Sequence, residues 1–371
     1  MNDASHLPTL VAALAFALAA LFGGVAHRVN FCTMGAVTDI ANFGDWRRMR
    51  MWLLAIATAI AGTAVLTALG VIDIRKTIYT SAQVPWLSNL VGGFLFGFGM
   101  TLSSGCGSKT LLRVGAGNLK SLIVMVFLGL SAYMTLRGFL APPRANFFDT
   151  FRLDLAPLGT PSSDLGSIGA SLGMPAARAW LPLIVAALVA AFVLASRDFR
   201  ESKEMIVGGL VIGLVIVGGW YISGHLGYLA EDPATLEEKF VATNSGRMES
   251  YSFTAPVAYL IELLMLWTDK SRIVTFGIAG VLGMIAGASA VAIATRTFRW
   301  EGFANIEDLG NHIVGGILMG FGGVTALGCT IGQGLTGIST LAIGSILTFL
   351  AIVGGCLVAV RYQVWRIERT A

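Results

Sequence analysis

The apolar positions of this chain gather into long runs that short polar stretches separate. Most of these runs approach about 20 residues, the length at which an α-helix crosses a bilayer. Nine spans are predicted, with the following bounds: Leu7 to Ala26, Met51 to Ile72, Ser88 to Ser104, Leu119 to Phe139, Trp180 to Ser196, Ile206 to Ser223, Ile273 to Thr295, His312 to Leu327, and Leu341 to Val360. The pattern predicts an all-α polytopic membrane protein.

Two further apolar stretches are too short and too broken to cross a bilayer. They are Val29 to Gly44 and Ser252 to Trp267. Irregular backbone at membrane depth persists only where protein or a watery cavity surrounds it, so we interpret both as re-entrant helices. The alternative is a pair of amphipathic helices at the membrane surface. Phe31-Cys32 in the first stretch aligns with Phe253-Thr254 in the second, which makes Thr254 a candidate site residue.

One sequence motif occurs twice in the chain. LVGGFLFGFGMTLSSGC, from Leu90 to Cys106, matches IVGGILMGFGGVTALGC, from Ile313 to Cys329, at a constant offset. Such self-similarity indicates a duplicated unit, in which each copy ends its apolar run on a Gly-Cys pair. Glycines four positions apart, such as Gly93 with Gly97, allow helices to approach closely.

The number of spans between the two copies predicts their relative direction. Four spans precede residue 140, four follow residue 205, and one lies between, so the second copy enters the bilayer from the opposite side. We therefore divide the chain into a first inverted repeat (1–140), an outer connection with a linking helix (141–205) and a second inverted repeat (206–371). Inverted repeats of this kind place a site near the midplane.

Composition and charge support this class and exclude others. With 55% hydrophobic and 12% charged residues and a mean hydropathy of +0.76, the chain carries more apolar surface than a soluble core can hide. The pI is near 9.0, but the basic residues lie at the ends of spans, as membrane topology requires, and no nucleic-acid surface is expected. Their distribution favours an amino terminus outside the cell and a carboxyl terminus inside.

Glycines beside the two repeated cysteines are candidates for anion binding. Gly105, Gly107 and Gly328 flank Cys106 and Cys329, where backbone without side chains can turn sharply and direct N–H groups at a ligand. A helix that begins at such a turn attracts negative charge through its dipole. The string GCGSKT resembles a phosphate loop, but Ser108 stands where that motif needs glycine.

Three polar residues near the cysteines have two interpretations each. Lys109 either attracts an anion or faces cytoplasmic lipid headgroups. Thr330 and Gln333 either offer neutral hydrogen-bond donors to the same ligand or cap helices locally.

The four cysteines divide into two groups. They are too few and too widely spaced for a disulfide scaffold, and no Cys/His metal-ligand spacing occurs, so we expect no metal or other cofactor. Cys356 fits a packing role in a membrane helix. Cys32, Cys106 and Cys329 lie in broken or glycine-rich segments, where a soft, weakly donating thiol suits a sulfur-bearing anion that must be released again.

Three motifs together resemble the YeeE/YedE family of bacterial sulfur-compound transporters. They are RVNFCTMGA, GCGSKTLLRVGAGNLKSL and GFGGVTALGCTIGQGLTG, and the resemblance covers both halves of the chain. It implies an hourglass-shaped thiosulfate-uptake protein of the bacterial inner membrane, in which re-entrant helices meet at a narrow waist. It also implies that Cys32, Cys106 and Cys329 are pathway cysteines. The membrane potential opposes entry of an anion, so either a cation enters with it or cytoplasmic chemistry consumes it, and the resemblance suggests a TusA-like sulfurtransferase as the consumer.

Our hypothesis from the sequence is therefore an importer, not an enzyme, for thiosulfate or a related oxyanion. Two alternatives remain: a selenium-compound transporter of the same family, and a membrane thiol enzyme that forms a persulfide. The chain departs from compact family members in its long outer connection, Ala141 to Arg178, which is expected to form a cap or a flexible link, and in its acidic outer loop near Glu231.

Overall fold

The computed structural model describes residues 3–232 and 235–370, and it is 71% helical. The helices that carry the fold are α1 (Asp3–Arg28), α2 (Thr33–Phe43), α3 (Arg47–Ala68), α4 (Trp86–Leu102), α5 (Gly107–Gly115), α6 (Leu119–Arg137), α7 (Ala141–Asn146), α8 (Leu165–Ser171), α9 (Ala177–Leu194), α10 (Arg197–Glu201), α11 (Lys203–Tyr221), α12 (Ala255–Met265), α13 (Phe276–Ala294), α14 (Ile306–Thr325) and α15 (Ile343–Thr370). A helical segment with a π-helical centre, Gly332–Gly337, precedes α15.

The predicted all-α polytopic fold is confirmed. Eight helical stretches within the described ranges are long and apolar enough to cross a membrane. The ninth predicted span, His312 to Leu327, lies in α14, which has 20 residues but begins with Glu307 and Asp308 in its first turn. Most predicted bounds are shifted by two to four residues. Polar first turns, such as that of α3 from Arg47, begin some helices earlier, and several helices, such as α3 at Ala68, end before the predicted bound.

Helices α2 and α12 occupy the two short apolar stretches. Each has 11 residues and is therefore about 16 Å long, roughly half the apolar thickness of a bilayer. Their amino ends are buried, whereas the carboxyl ends expose Phe43 and Trp267 at 81% and 70%. A helix lying along the membrane surface would instead be buried on one side over its whole length, so this burial favours the re-entrant interpretation.

Each of these short helices carries a paired carboxylate. Asp39 on α2 lies 3.3 Å from the Arg48 guanidinium. Glu262 on α12 lies 3.2 Å from Arg272 and 3.5 Å from Arg137. The ion pairs tie both short helices to the helices beside them.

Helices α4 and α14, which lead to the two Gly-Cys pairs, cross through glycines. A Cβ on Gly99 would lie 2.7 Å from the Gly315 carbonyl oxygen, and one on Gly315 would lie 2.6 Å from that of Gly99. Gly92 and Gly322 meet in the same reciprocal way, at 2.7 and 2.6 Å. Because residue numbers fall on one helix as they rise on the other, α4 and α14 are antiparallel.

The helices that flank this crossing also pack in matching pairs. Helix α4 packs on α15 and α14 packs on α6, while α1 packs on α13 and α3 packs on α11. Gly93 allows α4 to contact α15, since a Cβ at this position would lie 2.7 Å from the Thr348 carbonyl oxygen. Gly316 allows α14 to contact α6, since its Cβ would lie 3.0 Å from the Val124 carbonyl oxygen. The predicted role of the spaced glycines in close helix packing is confirmed.

The three long connections 72–85, 139–176 and 227–252 share one side of the molecule, which we call the loop face. Gln83–Val84 pairs with Leu153–Asp154, and Tyr228–Leu229 pairs with Lys239–Phe240, each as a short antiparallel ladder. The Ser163 amide donates to the Thr80 carbonyl at 3.2 Å, and the Met248 amide donates to that of Lys76 at 3.1 Å. The connection from Ala141 to Arg178 is therefore a folded cap and not a flexible link.

Candidate functional site

Each of the three candidate cysteines follows the same backbone turn. Asn30, Ser104 and Leu327, two residues before Cys32, Cys106 and Cys329, adopt left-handed φ values of 53°, 57° and 59°. In all three turns the amide of the intervening residue donates to the carbonyl five positions earlier, at 2.7 to 2.9 Å. One helix thus ends, and the cysteine begins the next helical segment as its N-cap.

Two of the thiols accept a hydrogen bond from the helix that they begin. The Gly35 amide donates to Cys32 Sγ at 3.4 Å, and the Gly332 amide donates to Cys329 Sγ at 3.4 Å. The backbone amide fixes the sulfur and leaves its own S–H hydrogen free to donate. The Ser252 hydroxyl lies 4.0 Å from the Cys329 sulfur and is within reach of a weak bond.

Cys106 lies between the other two. Its thiol is beside that of Cys32, near the Thr330 hydroxyl and 3.3 Å from that of Ser108, while Cys329 is near enough to interact electrostatically. Unlike the other two, Cys106 makes no side-chain cap bond to α5. The cysteines are 5%, 1% and 0% exposed, so this conformation closes them to solvent. Cys356 lies apart, where it accepts a bond of 3.3 Å from Thr101.

Aromatic side chains surround the cysteine turns. Phe31, which precedes Cys32, stacks on Trp52 with ring centroids 5.6 Å apart. Phe253, which precedes Thr254, lies 6.0 Å from Phe22 and touches Cys329 through its backbone amide. Apolar rings thus lie directly beside Cys32 and Thr254 in sequence, and each packs on another aromatic ring.

Lys109 joins two of the cysteine turns. Its ammonium donates to the Asn30 side-chain oxygen, so it connects the turn before Cys32 with the helix that Cys106 begins. The residue is half-buried and lies near both thiols, with Arg48 and Arg113 as neighbouring cations. This position favours the anion-attracting interpretation over contact with lipid headgroups.

The structure corrects the predicted role of two glycines. The left-handed residues are Ser104 and Leu327, and the amides of Gly105 and Gly328 already donate to Met100 and Gly323. These amides are therefore not free for a ligand. The glycines instead leave space: a Cβ on Gly105 would lie 3.2 Å from Lys109 Cγ, and one on Gly328 would lie 3.1 Å from Gln333 Cγ. Gly107 is the first residue of α5, where amides lack helical partners.

Of the two interpretations of Gln333, the structure favours the local bond at a helix end. Its side-chain amide donates to the Ala326 carbonyl, which leaves Oε1, an acceptor, without a partner. Thr254 and Thr330 are fully buried, and their hydroxyls have no hydrogen-bond partner of good geometry. Both therefore retain a donor for a ligand.

Two cavities lead from the loop face towards Cys329. One of about 220 Å³ ends at Ser252 and Gly328, and one of about 200 Å³ ends at Leu327 and Gln333. Tyr79 lines both, is 8% exposed, and has its hydroxyl 3.4 Å from the point where a Gly332 Cβ would stand. The sequence analysis missed Tyr79, because nothing in its own connection indicates that it folds over the cysteines.

The many spanning helices and the buried polar centre of thiols, hydroxyls and helix amino ends are typical of a polytopic membrane transport protein. No group of three or more His, Cys, Asp or Glu side chains is placed to hold a metal ion within the described residues. The family model described as "Sulphur transport" matches residues 28–358. The chain therefore belongs to the sulphur-transport family, YeeE/YedE, as its motifs predicted.

Two relatives carry the name "Thiosulfate transporter TsuA". That of Escherichia coli (strain K12) is 25% identical over 338 residues, which cover 85% of this chain and 84% of the relative. That of Spirochaeta thermophila is 27% identical over 342 residues, which cover 90% and 94%. The chain is accordingly a transporter of sulfur compounds and not an enzyme, which sets aside the thiol-enzyme alternative.

Proposed function

We propose that this protein imports thiosulfate, or a closely related sulfur oxyanion, across the bacterial inner membrane through a waist formed by Cys32, Cys106 and Cys329. The observation that carries this proposal is that three cysteines distant in sequence begin helices from the same backbone turn and lie together. The names of the two relatives supply the cargo.

In this proposal the thiols pass the anion along by weak hydrogen bonds. Backbone amides donate to the sulfurs of Cys32 and Cys329, and each S–H group can then donate to a guest in place of its protein neighbours. A neutral thiol donates weakly, and the anion can leave each site as readily as it arrives. The free hydroxyls of Thr254 and Thr330 add two stronger donors beside the path.

The waist follows from an inverted repeat of residues 1–140 and 206–371. The antiparallel glycine crossing of α4 and α14 and the matching helix pairs support this arrangement. The re-entrant helices α2 and α12 would then approach the waist from opposite sides, each bringing its N-cap, Cys32 or Thr254, to the narrowest point. Such a molecule is hourglass-shaped, with the loop face towards the periplasm.

The membrane potential opposes the entry of an anion into the cell. A dianion entering a cell held at roughly 100 mV negative inside climbs about 4.6 kcal/mol, at about 2.3 kcal/mol per charge. Helix amino ends at the cysteines and the Lys109 ammonium lower the barrier at the waist. Net uptake then needs a co-transported cation or a consumer of the cargo, and a TusA-like cytoplasmic sulfurtransferase would be such a consumer.

Uptake of labelled thiosulfate into proteoliposomes tests the proposal. We expect Cys106→Ala and Cys329→Ala to abolish uptake and Cys356→Ala, the matched buried control, to retain it. Unchanged uptake by the first two variants would remove the thiols from the mechanism. Stronger inhibition of labelled thiosulfate uptake by unlabelled selenite than by unlabelled thiosulfate would favour the selenium-compound alternative.

The membrane orientation is tested by placing reporters on the two sides of a cysteine-free chain. We propose that the amino terminus is periplasmic and the carboxyl terminus cytoplasmic, which puts Ser245 outside and Glu201 inside. In intact cells with a permeabilised outer membrane, an impermeant maleimide should label Ser245→Cys and leave Glu201→Cys unlabelled. The opposite pattern would reverse the orientation.

A further inference from the structure

We propose that Gln333, Ser345 and Asn89 form a binding site for a monovalent cation, Na⁺, beside the Cys329 turn. The binding site stands on its own contacts. Its coupling to anion uptake rests on the function proposed above.

Gln333 is the centre of this site. Its backbone amide donates to the Cys329 carbonyl at 2.8 Å, and its side-chain amide donates to Ala326. The backbone N–H and one of the two side-chain N–H groups are therefore used within the cysteine turn, and the bond to a carbonyl fixes the side-chain orientation. The remaining atom, Oε1, accepts no hydrogen bond although the residue is only 2% exposed.

The Ser345 hydroxyl faces the same point. It is 1% exposed and has no hydrogen-bond partner. It and Gln333 Oε1 both adjoin the empty position above Gly337, where a Cβ would lie 3.0 Å from Gln333 Oε1 and clash with the Ser345 hydroxyl. The absence of a side chain at Gly337 thus leaves a gap between two unpartnered oxygens.

Asn89 supplies a third oxygen from the other half of the chain. It lies on α4, is 2% exposed and has an unpartnered Oδ1. Gln333, Ser345 and Asn89 line one cavity of about 200 Å³, which Gln83 and Ser163 of the loop face also line. The charged groups in its lining are Asp149 and Arg152.

The chemistry of these atoms favours a hard cation over an anion. Amide and hydroxyl oxygens are ligands for cations such as Na⁺, whereas an anion would face the negative ends of two amide dipoles. Leaving three buried oxygens without partners is unfavourable, and a bound cation satisfies all of them at once. Its positive charge would also lie near the turn that carries Cys329, because the Gln333 backbone amide bonds to the Cys329 carbonyl.

Thermal unfolding of the purified protein measures the binding directly. We expect the melting temperature to rise saturably with NaCl and not with choline chloride at the same ionic strength. Ser345→Ala should weaken the Na⁺ response about tenfold or more, and Asn89→Asp should strengthen it by adding a negative ligand. Thr63→Val is the matched control, because Thr63 is also buried without a partner but lines a different cavity.

Uptake assays distinguish a failure of the proposed Na⁺ site from a failure of the proposed thiosulfate importer. We expect thiosulfate uptake to require external Na⁺, and labelled Na⁺ to enter with the anion. If uptake is equal in choline medium and Na⁺ has no saturable effect on melting, the cation site is overturned. Water would then occupy these oxygens, and the proposed thiosulfate importer would remain. Uptake that is absent in every medium would overturn the importer instead, while the melting experiment would still decide the site.

Discussion

The backbone amide of Gly35 donates a hydrogen bond to the Cys32 sulfur at 3.4 Å. The cysteine therefore has two separable roles, since its sulfur caps α2 and its S–H hydrogen is left for another partner. The same division holds for Cys329 and Gly332. Substitutions can distinguish capping from transport at these positions.

Replacing Cys32 should separate stability from activity. Serine can cap a helix and alanine cannot, so Cys32→Ser should keep the melting temperature of the protein. Cys32→Ala should lower the free energy of unfolding by about 1 kcal/mol. Both variants lack the soft thiol, and we expect both to lose most thiosulfate uptake. Full uptake by the stable Cys32→Ser variant would show that the residue only caps the helix.

Tyr79 should control access to Cys329 from the loop face. In a chain whose only cysteine is Cys329, we expect Tyr79→Ala to increase the rate of labelling by an impermeant thiol reagent at least severalfold, because both cavities that the Tyr79 ring lines would widen. Tyr79→Phe keeps the ring and should label slowly. Equal rates for all three side chains would mean that another group closes the site.

The crossing of α4 and α14 should not tolerate a side chain. Gly99→Val would place its Cβ against the Gly315 carbonyl, and we expect a loss of about 1–3 kcal/mol or more, seen as a lower melting temperature in detergent. Gly354 has no neighbour within 4 Å of a Cβ, so Gly354→Ala should be neutral or stabilise its helix by about 0.5–1 kcal/mol. Similar melting temperatures for Gly99→Val and the unsubstituted protein would contradict the close crossing.

Glu262 should anchor the re-entrant helix α12. Its carboxylate is 4% exposed, and Glu262→Gln would remove the charge that two arginines share. Because these arginines are 53% and 34% exposed, we expect a loss of about 1–3 kcal/mol, below the about 3–5 kcal/mol of a fully buried pair.

The control for Glu262 is an ion pair in solvent. Arg197 and Glu201 are 84% and 67% exposed, and Glu201→Gln should change the unfolding free energy by no more than about 0.5 kcal/mol. Equal effects of the two substitutions, measured by thermal unfolding, would mean that burial of Glu262 does not matter.

Local sequence predicted much of the fold, because spanning helices depend on the length of apolar runs and the duplicated motif is visible without a structure. It also indicated the three cysteines. The turns before Cys106 and Cys329 were assigned to the wrong residue, because Ser104 and Leu327 are not types that favour the left-handed region. The backbone bonds that close these turns hold both residues there.

Residues brought in from distant segments could not be predicted. Tyr79 reaches the Cys329 turn only because two other connections hold its own loop in place, and Asn89 meets Ser345 only after α4 packs on α15. Asn89 gave one usable signal, a polar amide within an otherwise apolar span. Its significance depends on the oxygens opposite, which no local pattern reveals.

Peptide groups alone create a positive potential near the three cysteines. They belong to the short helices that begin at Cys32 and Cys106 and to the segment that begins after Cys329. Peptide dipoles have no pKa and cannot be neutralised by protons. At the proposed waist an anion would therefore meet the same attraction in acidic and in alkaline surroundings, and this part of the proposed uptake route would not depend on the acidity of the habitat.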